Sequence, residues 1–91
     1  MKKKPNPNDD ILVIIKFSQD EHYTEYLLVQ LINIYYTRKQ QGLSIDSFIY
    51  ALHATESKEL QDETVTSFLS YLQGVIRCVL ARDQNINNKY V

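Results

Sequence analysis

Few residues in this chain could carry covalent or metal chemistry. Cys78 is the only cysteine, and the two histidines, His22 and His53, stand far apart in sequence. The chain has two glycines, Gly42 and Gly74, too few for a loop that cradles phosphate, and each is better placed as a helix stop. Cys78 lies between Arg77 and Val79 in an apolar run, which predicts a buried structural thiol rather than a nucleophile. His22, beside Asp20 and Glu21, reads as a surface residue. His53 falls near the end of a short helical pattern, where an imidazole can face the terminal carbonyls. A metal site would need both histidines to converge with Cys78 or a carboxylate, and no spacing demands it. The residue types therefore point away from an enzyme, a cofactor, a metal centre or a small-molecule substrate.

The elements that must position the remaining polar and aromatic groups begin with MKKKPNPNDD. Pro5, Pro7 and two asparagines deny this stretch regular structure, so residues 1–10 are expected to form a disordered arm. ILVIIKF (Ile11–Phe17) is nearly continuous in apolar character, and its periodicity cannot separate strand from helix. Its β-branched content favours a first strand. Ser18 followed by Glu21 fits a capping box that opens a long helix through HYTEYLLVQLINIYYTRK, with Tyr23, Leu27, Leu31, Ile34 and Tyr35 as its stripe. Gly42 supplies the left-handed stop. Ser44 caps a short second helix carrying Ile45, Phe48, Ile49 and Leu52, and Leu43 can reach Phe48 as a staple. A third helix follows TESKELQ, with Val65, Phe68, Leu69 and Leu72 on one face, and ends at Gly74. VIRCVLAR then reads as a strand with Ile76, Cys78 and Leu80 on one side, Asp83 to Asn88 as a turn, and Lys89 to Val91 as a short return strand.

The expectation is an α+β domain over residues 11–91: three helices, then a C-terminal β-hairpin, with Ile11–Phe17 available to complete a small sheet. That order is winged-helix-like. At 91 residues there is room for one domain, and a domain this small buries only about 60–65% of the surface its unfolded chain exposes. Help from a partner is plausible on that ground. A lone cysteine suits a reducing cytosol, and no apolar run is long enough to span a bilayer.

Charge tests whether such a domain would read DNA. The formal net charge is −1. The candidate recognition segment, Thr55 to Gly74, sets Glu56, Glu59, Asp62 and Glu63 against Lys58 alone, a local charge of −3. Carboxylates at the leading end of a groove helix would repel phosphates, whose contacts supply most of the affinity. The wing holds Arg77, Arg82 and Lys89 against Asp83, or +2. These three are the possible phosphate contacts of a DNA-binding regulator, which stands as the alternative reading.

A protein-binding module fits better. Tyrosine buries large area at low entropic cost, and seven tyrosines exceed what a core of this size needs. Tyr26, Tyr36 and Tyr90 are the expected anchors, and the short hairpin edge could accept a strand from a partner or a second copy. LSIDSFIYAL after a long first helix, then LQGVIRCVLARD leading to NKYV, resembles the small winged-helix middle components of bacterial ABC three-component conflict systems. The chain departs from that pattern by lacking a tryptophan near Ala51-Leu52. The resemblance implies a non-enzymatic adaptor or regulatory subunit in the bacterial cytosol, partnered by an ATPase or effector subunit. A self-associating homodimer is the further alternative.

Overall fold

The computed structural model describes the backbone of residues 7–58 and 64–89 and the side chains of residues 9–58 and 64–82. Those residues fold as four helices: α1 (Pro7–Asp20), α2 (Glu25–Lys39), α3 (Ile45–Glu56) and α4 (Val65–Lys89). Among the described residues there is no strand, so the expected α+β class with a C-terminal β-hairpin is overturned. Residues 1–6 of the expected arm lie outside the described residues, and residues 7–10 form the opening of α1.

α1 shows why the apolar run is helical. Pro7 stands at the first position, where a missing N–H costs nothing, and Asp9 and Asp10 occupy the first turn, where the helix dipole favours negative charge. Ile11, Ile14 and Ser18 then recur at helical spacing, with Ile14 fully buried and Ser18 nearly so. Ser18 is thus an interior residue of α1, not a cap. The helix ends two residues later in a Schellman arrangement, with His22 N–H donating to Gln19 O at 3.2 Å and Tyr23 N–H to Ser18 O at 2.9 Å. His22 supplies the left-handed residue with a φ of 59°. Histidine is among the non-glycine residues that enter this region more readily than most.

The α2–α3 junction repeats the device with the expected residue. Gly42, at a φ of 103°, donates to Lys39 O at 3.0 Å, and Leu43 N–H reaches Arg38 O at 3.2 Å. Three helices open on a hydroxyl cap. Thr24 accepts from Leu27 N at 3.2 Å, Ser44 from Ser47 N at 3.1 Å, and Thr64 from Ser67 N at 3.1 Å.

One apolar cluster runs through all four helices. It joins Ile14 of α1 with Leu27, Leu31 and Tyr35 of α2, Phe48, Ala51 and Leu52 of α3, and Leu72, Ile76 and Leu80 of α4. Each large apolar side chain fully withdrawn from water contributes about 1.5–3 kcal/mol before ordering costs. Leu43 and Phe48, both buried, sit where a hydrophobic staple places them. Thr55 is buried and returns its hydroxyl to Ala51 O at 2.8 Å, and no described buried polar side-chain atom lacks a partner.

α4 overturns the wing. Leu72, Ile76, Val79 and Leu80 are buried at i, i+4, i+7 and i+8, a helical period that carries straight across Gly74. Asp83 to Asn88 is helical backbone rather than a turn. Cys78 is exposed, contrary to the expectation of a buried thiol. Tyr90 and Val91 lie outside the described residues.

The two glycines now separate cleanly. A Cβ at Gly74 would meet nothing within 4 Å, and the residue is mid-helix. Gly74→Ala should therefore raise stability by about 0.5–1 kcal/mol, whereas Gly42→Ala, forced into a left-handed backbone, should lower it by about 1–2 kcal/mol. Thermal unfolding of both variants checks this. A fall in melting temperature for Gly74→Ala would mean that α4 breaks there after all.

Candidate interaction surface

α2 is held from two directions. Its inward row, Leu27, Leu31 and Tyr35, lies in the core. On one flank, Tyr35 donates its hydroxyl to Asp10 Oδ2 of α1 at 2.5 Å, and Lys39 Nζ reaches the same oxygen at 3.3 Å. The Lys39 ammonium also sits 5.8 and 5.6 Å from the Tyr35 and Tyr36 ring centroids. On the other flank, Asn33, Ile34, Thr37 and Arg38 border a crevice of about 220 Å³ against Gln73 of α4.

The α1–α2 turn is fastened separately. Tyr23 packs on Phe17 and edge-on against Phe68, with centroids 5.9 and 5.6 Å apart, and donates its hydroxyl to Glu56 at the end of α3. His53 is exposed, with its ring 5.1 Å from Phe17, and its carbonyl accepts from Ser57. Burial, and then the neighbouring Glu56 carboxylate, raise the Tyr23 phenol well above its ordinary value. Burial and Asp10 do the same for Tyr35.

What is left of α2 is its outer side. Tyr26 is 64% exposed and Val29 47%, and Asn33 and Thr37 are exposed beyond them. Between Glu25 and Arg38 the helix carries no charged residue at all. Surface helices ordinarily pair an apolar stripe with a charged face. α2 has apolar residues on every side, and α1 likewise exposes Leu12 and Val13, but beside the charged Lys16 and Asp20. The missing charge was visible in the sequence, but only knowledge of which side faces inward shows that the uncharged remainder is on the outside.

The expected site residues scatter. Tyr26 and Tyr36 share α2, the first exposed and the second half-buried with its ring 5.1 Å from that of Tyr35. Tyr90 lies outside the described residues. Arg77 and Arg82 are exposed on α4 rather than on a wing, and Lys89 ends that helix. The phosphate-gripping arrangement assumed for a DNA-binding regulator is therefore absent as drawn. A second surface, a shallow hollow of about 670 Å³ around Gly74, is bordered by Tyr71, Val75, Arg77 and Cys78. No group of three or more His, Cys, Asp or Glu among the described residues could hold a metal ion, and no described helix is long and apolar enough to cross a membrane. Comparison with protein families, with characterised proteins and with solved structures yields no match.

The two phenol–carboxylate bonds make a measurable claim. A phenol whose folded pKa stands above its unfolded value near 10 contributes stability that is complete below that pH and is lost as pH rises past it. Melting temperature should fall between pH 10 and 11.5 more steeply for the parent chain than for Tyr23→Phe/Tyr35→Phe, which should start lower and run flatter. Parallel curves would show that neither phenol is held in this way.

Proposed function

We propose that this chain is a non-enzymatic interaction subunit that binds a protein partner through the outer face of α2. The observation that carries the reading is the uncharged, outward stretch from Tyr26 to Thr37, in which Tyr26 and Val29 stand in solvent. Interface cores are depleted of charge and enriched in tyrosine, and both features meet here. The bonds from Tyr35 and Lys39 to Asp10 support it further, because a helix already held in place gives up little entropy on binding. A reducing cytosol is the setting that suits an exposed, lone Cys78.

Tyr26 isolates the interface from the core, since it is exposed where Tyr36 packs on Tyr35. Affinity co-purification from the native cell, at about 150 mM salt with nuclease treatment, should recover a protein partner with the parent chain. Tyr26→Ala should weaken that complex by about 2 kcal/mol, or roughly 30-fold, with little change in melting temperature. Undiminished recovery with Tyr26→Ala would remove α2's outer face from the interface.

A further inference from the structure

The outer residues of α2 are spaced as a seam. Tyr26, Val29, Asn33, Tyr36 and Gln40 fall at alternating steps of three and four, the repeat that lets one helix lie along another. All five are exposed or half-buried, and none is charged. Beside this seam, Glu25 and Lys39 lie on the same edge at opposite ends of the helix, since they are two heptads apart. We infer that the partner covering this face is a second copy of the chain, with the two α2 helices packed antiparallel about a twofold axis. The inference rests on the proposed role of α2 as the interface and names its occupant.

The twofold axis follows from the chemistry. Antiparallel packing centred near Leu31 sets Tyr26 against the second copy's Tyr36, and Val29 against the second copy's Asn33. It also brings each Glu25 to the other copy's Lys39, so both ends of the seam carry an opposite-charge pair. Parallel packing would instead turn the edge that carries Glu25 and Lys39 to opposite sides of the seam in the two copies, setting Glu25 towards the second copy's Gln30, so that neither end gains an opposite-charge pair. Lys39 already shares the Asp10 carboxylate and is 42% exposed in its side chain, which leaves its ammonium room to take a second acceptor. A charged occupant has nothing to meet between the two ends, whereas the chain's own face matches itself residue by residue.

The length of the seam sets the strength. Fifteen residues at ~1.5 Å each give a helix about 22 Å long, and one face of a helix that short buries less than the ~800 Å² per partner of a standard interface. Asparagine near the middle fixes register at a cost in affinity. A dissociation constant of about 10–100 µM is expected.

Sedimentation of the whole chain from about 5 to 500 µM tests the pairing. The mass should rise from the monomer's 10.7 kDa towards twice that value. Val29→Asp should shift the midpoint by at least tenfold, with the helical signal and melting temperature at low concentration unchanged. Cys78→Ser, on the α4 face, should leave association as it was and serves as the background for orientation. In that background, Gln30→Cys lies near the twofold axis and should be captured by a short bis-maleimide. Tyr26→Cys should not, because antiparallel packing leaves its two copies about 15 Å apart along the axis. Efficient capture of Tyr26→Cys would show parallel packing and overturn the inference, as would a dimer indifferent to Val29→Asp. A chain that stays monomeric to 500 µM also overturns it. Tyr26→Ala separates the two readings: loss of self-association keeps both, whereas loss of a different protein from the co-purified complex keeps α2's outer face as the interface and overturns the second copy as its occupant.

Discussion

A buried phenol must find an acceptor for its hydroxyl, and the way Tyr35 meets that demand organises half of this fold. Its ring is 1% exposed among Leu31, Phe48 and the rest of the core. Its oxygen emerges at the edge and donates to Asp10, whose carboxylate also takes Lys39. One acid therefore serves a neutral donor and a cation from the same helix, one turn apart. Removing Asp10 would leave the hydroxyl without its charged acceptor and the ammonium without its anion, a larger loss than a surface pair of median worth near 0–1 kcal/mol would imply. The bond also decides where α1 must start: a disordered arm reaching to residue 10 could not present Asp10 in register with Tyr35.

The sequence disclosed its helix boundaries where the residues were the usual ones. Gly42 as the left-handed stop, Ser44 as the cap and Leu43 over Phe48 all stand in the structure as the spacing implied. It misled where an unusual residue took the same role. His22 does for α1 what Gly42 does for α2, and without a glycine there the capping pattern at Ser18 and Glu21 looked like a start instead of an interior position. Gly74 produced the opposite error. It is a helix-interior glycine with open space around it, so its residue type announced a stop that the backbone does not make. The hairpin, the edge strand and the buried Cys78 all descended from that one reading. Leu72, Ile76, Val79 and Leu80 held the contrary signal, a helical period unbroken across the glycine.

Losing the edge strand changes what kind of interface the chain can offer. A strand edge binds through backbone groups and is tolerant of partner sequence, whereas a helix face binds through its side chains and depends on their spacing. The tyrosines divide accordingly. Tyr35 is core, Tyr23 is a fastener between the α1–α2 turn and α3, and Tyr36 leans on Tyr35, which leaves Tyr26 as the member of α2 whose exposure serves no fold contact described here. Composition alone counted these residues as equivalents. Only the helical phase set by Leu27, Leu31 and Tyr35 tells them apart.

That phase also bears on how covering the outer side would affect stability. α2 turns Leu27, Leu31 and Tyr35 inward and carries no charge between Glu25 and Arg38, so Tyr26 and Val29 stand in solvent on its outer side. A domain of this size gains little from further internal burial, because surface grows relative to volume as chains shorten. Covering Tyr26 and Val29 from outside adds apolar burial at ~25 cal/mol per Å² without ordering any new backbone, since α2 is already fixed by Asp10 and the core. Any ligand of that face stabilises the folded chain by mass action. The same argument explains why the face can remain uncharged without disrupting the fold: the bonds that tie α2 to α1 are made by Tyr35 and Lys39 at one edge, and neither Tyr26 nor Val29 takes part in them.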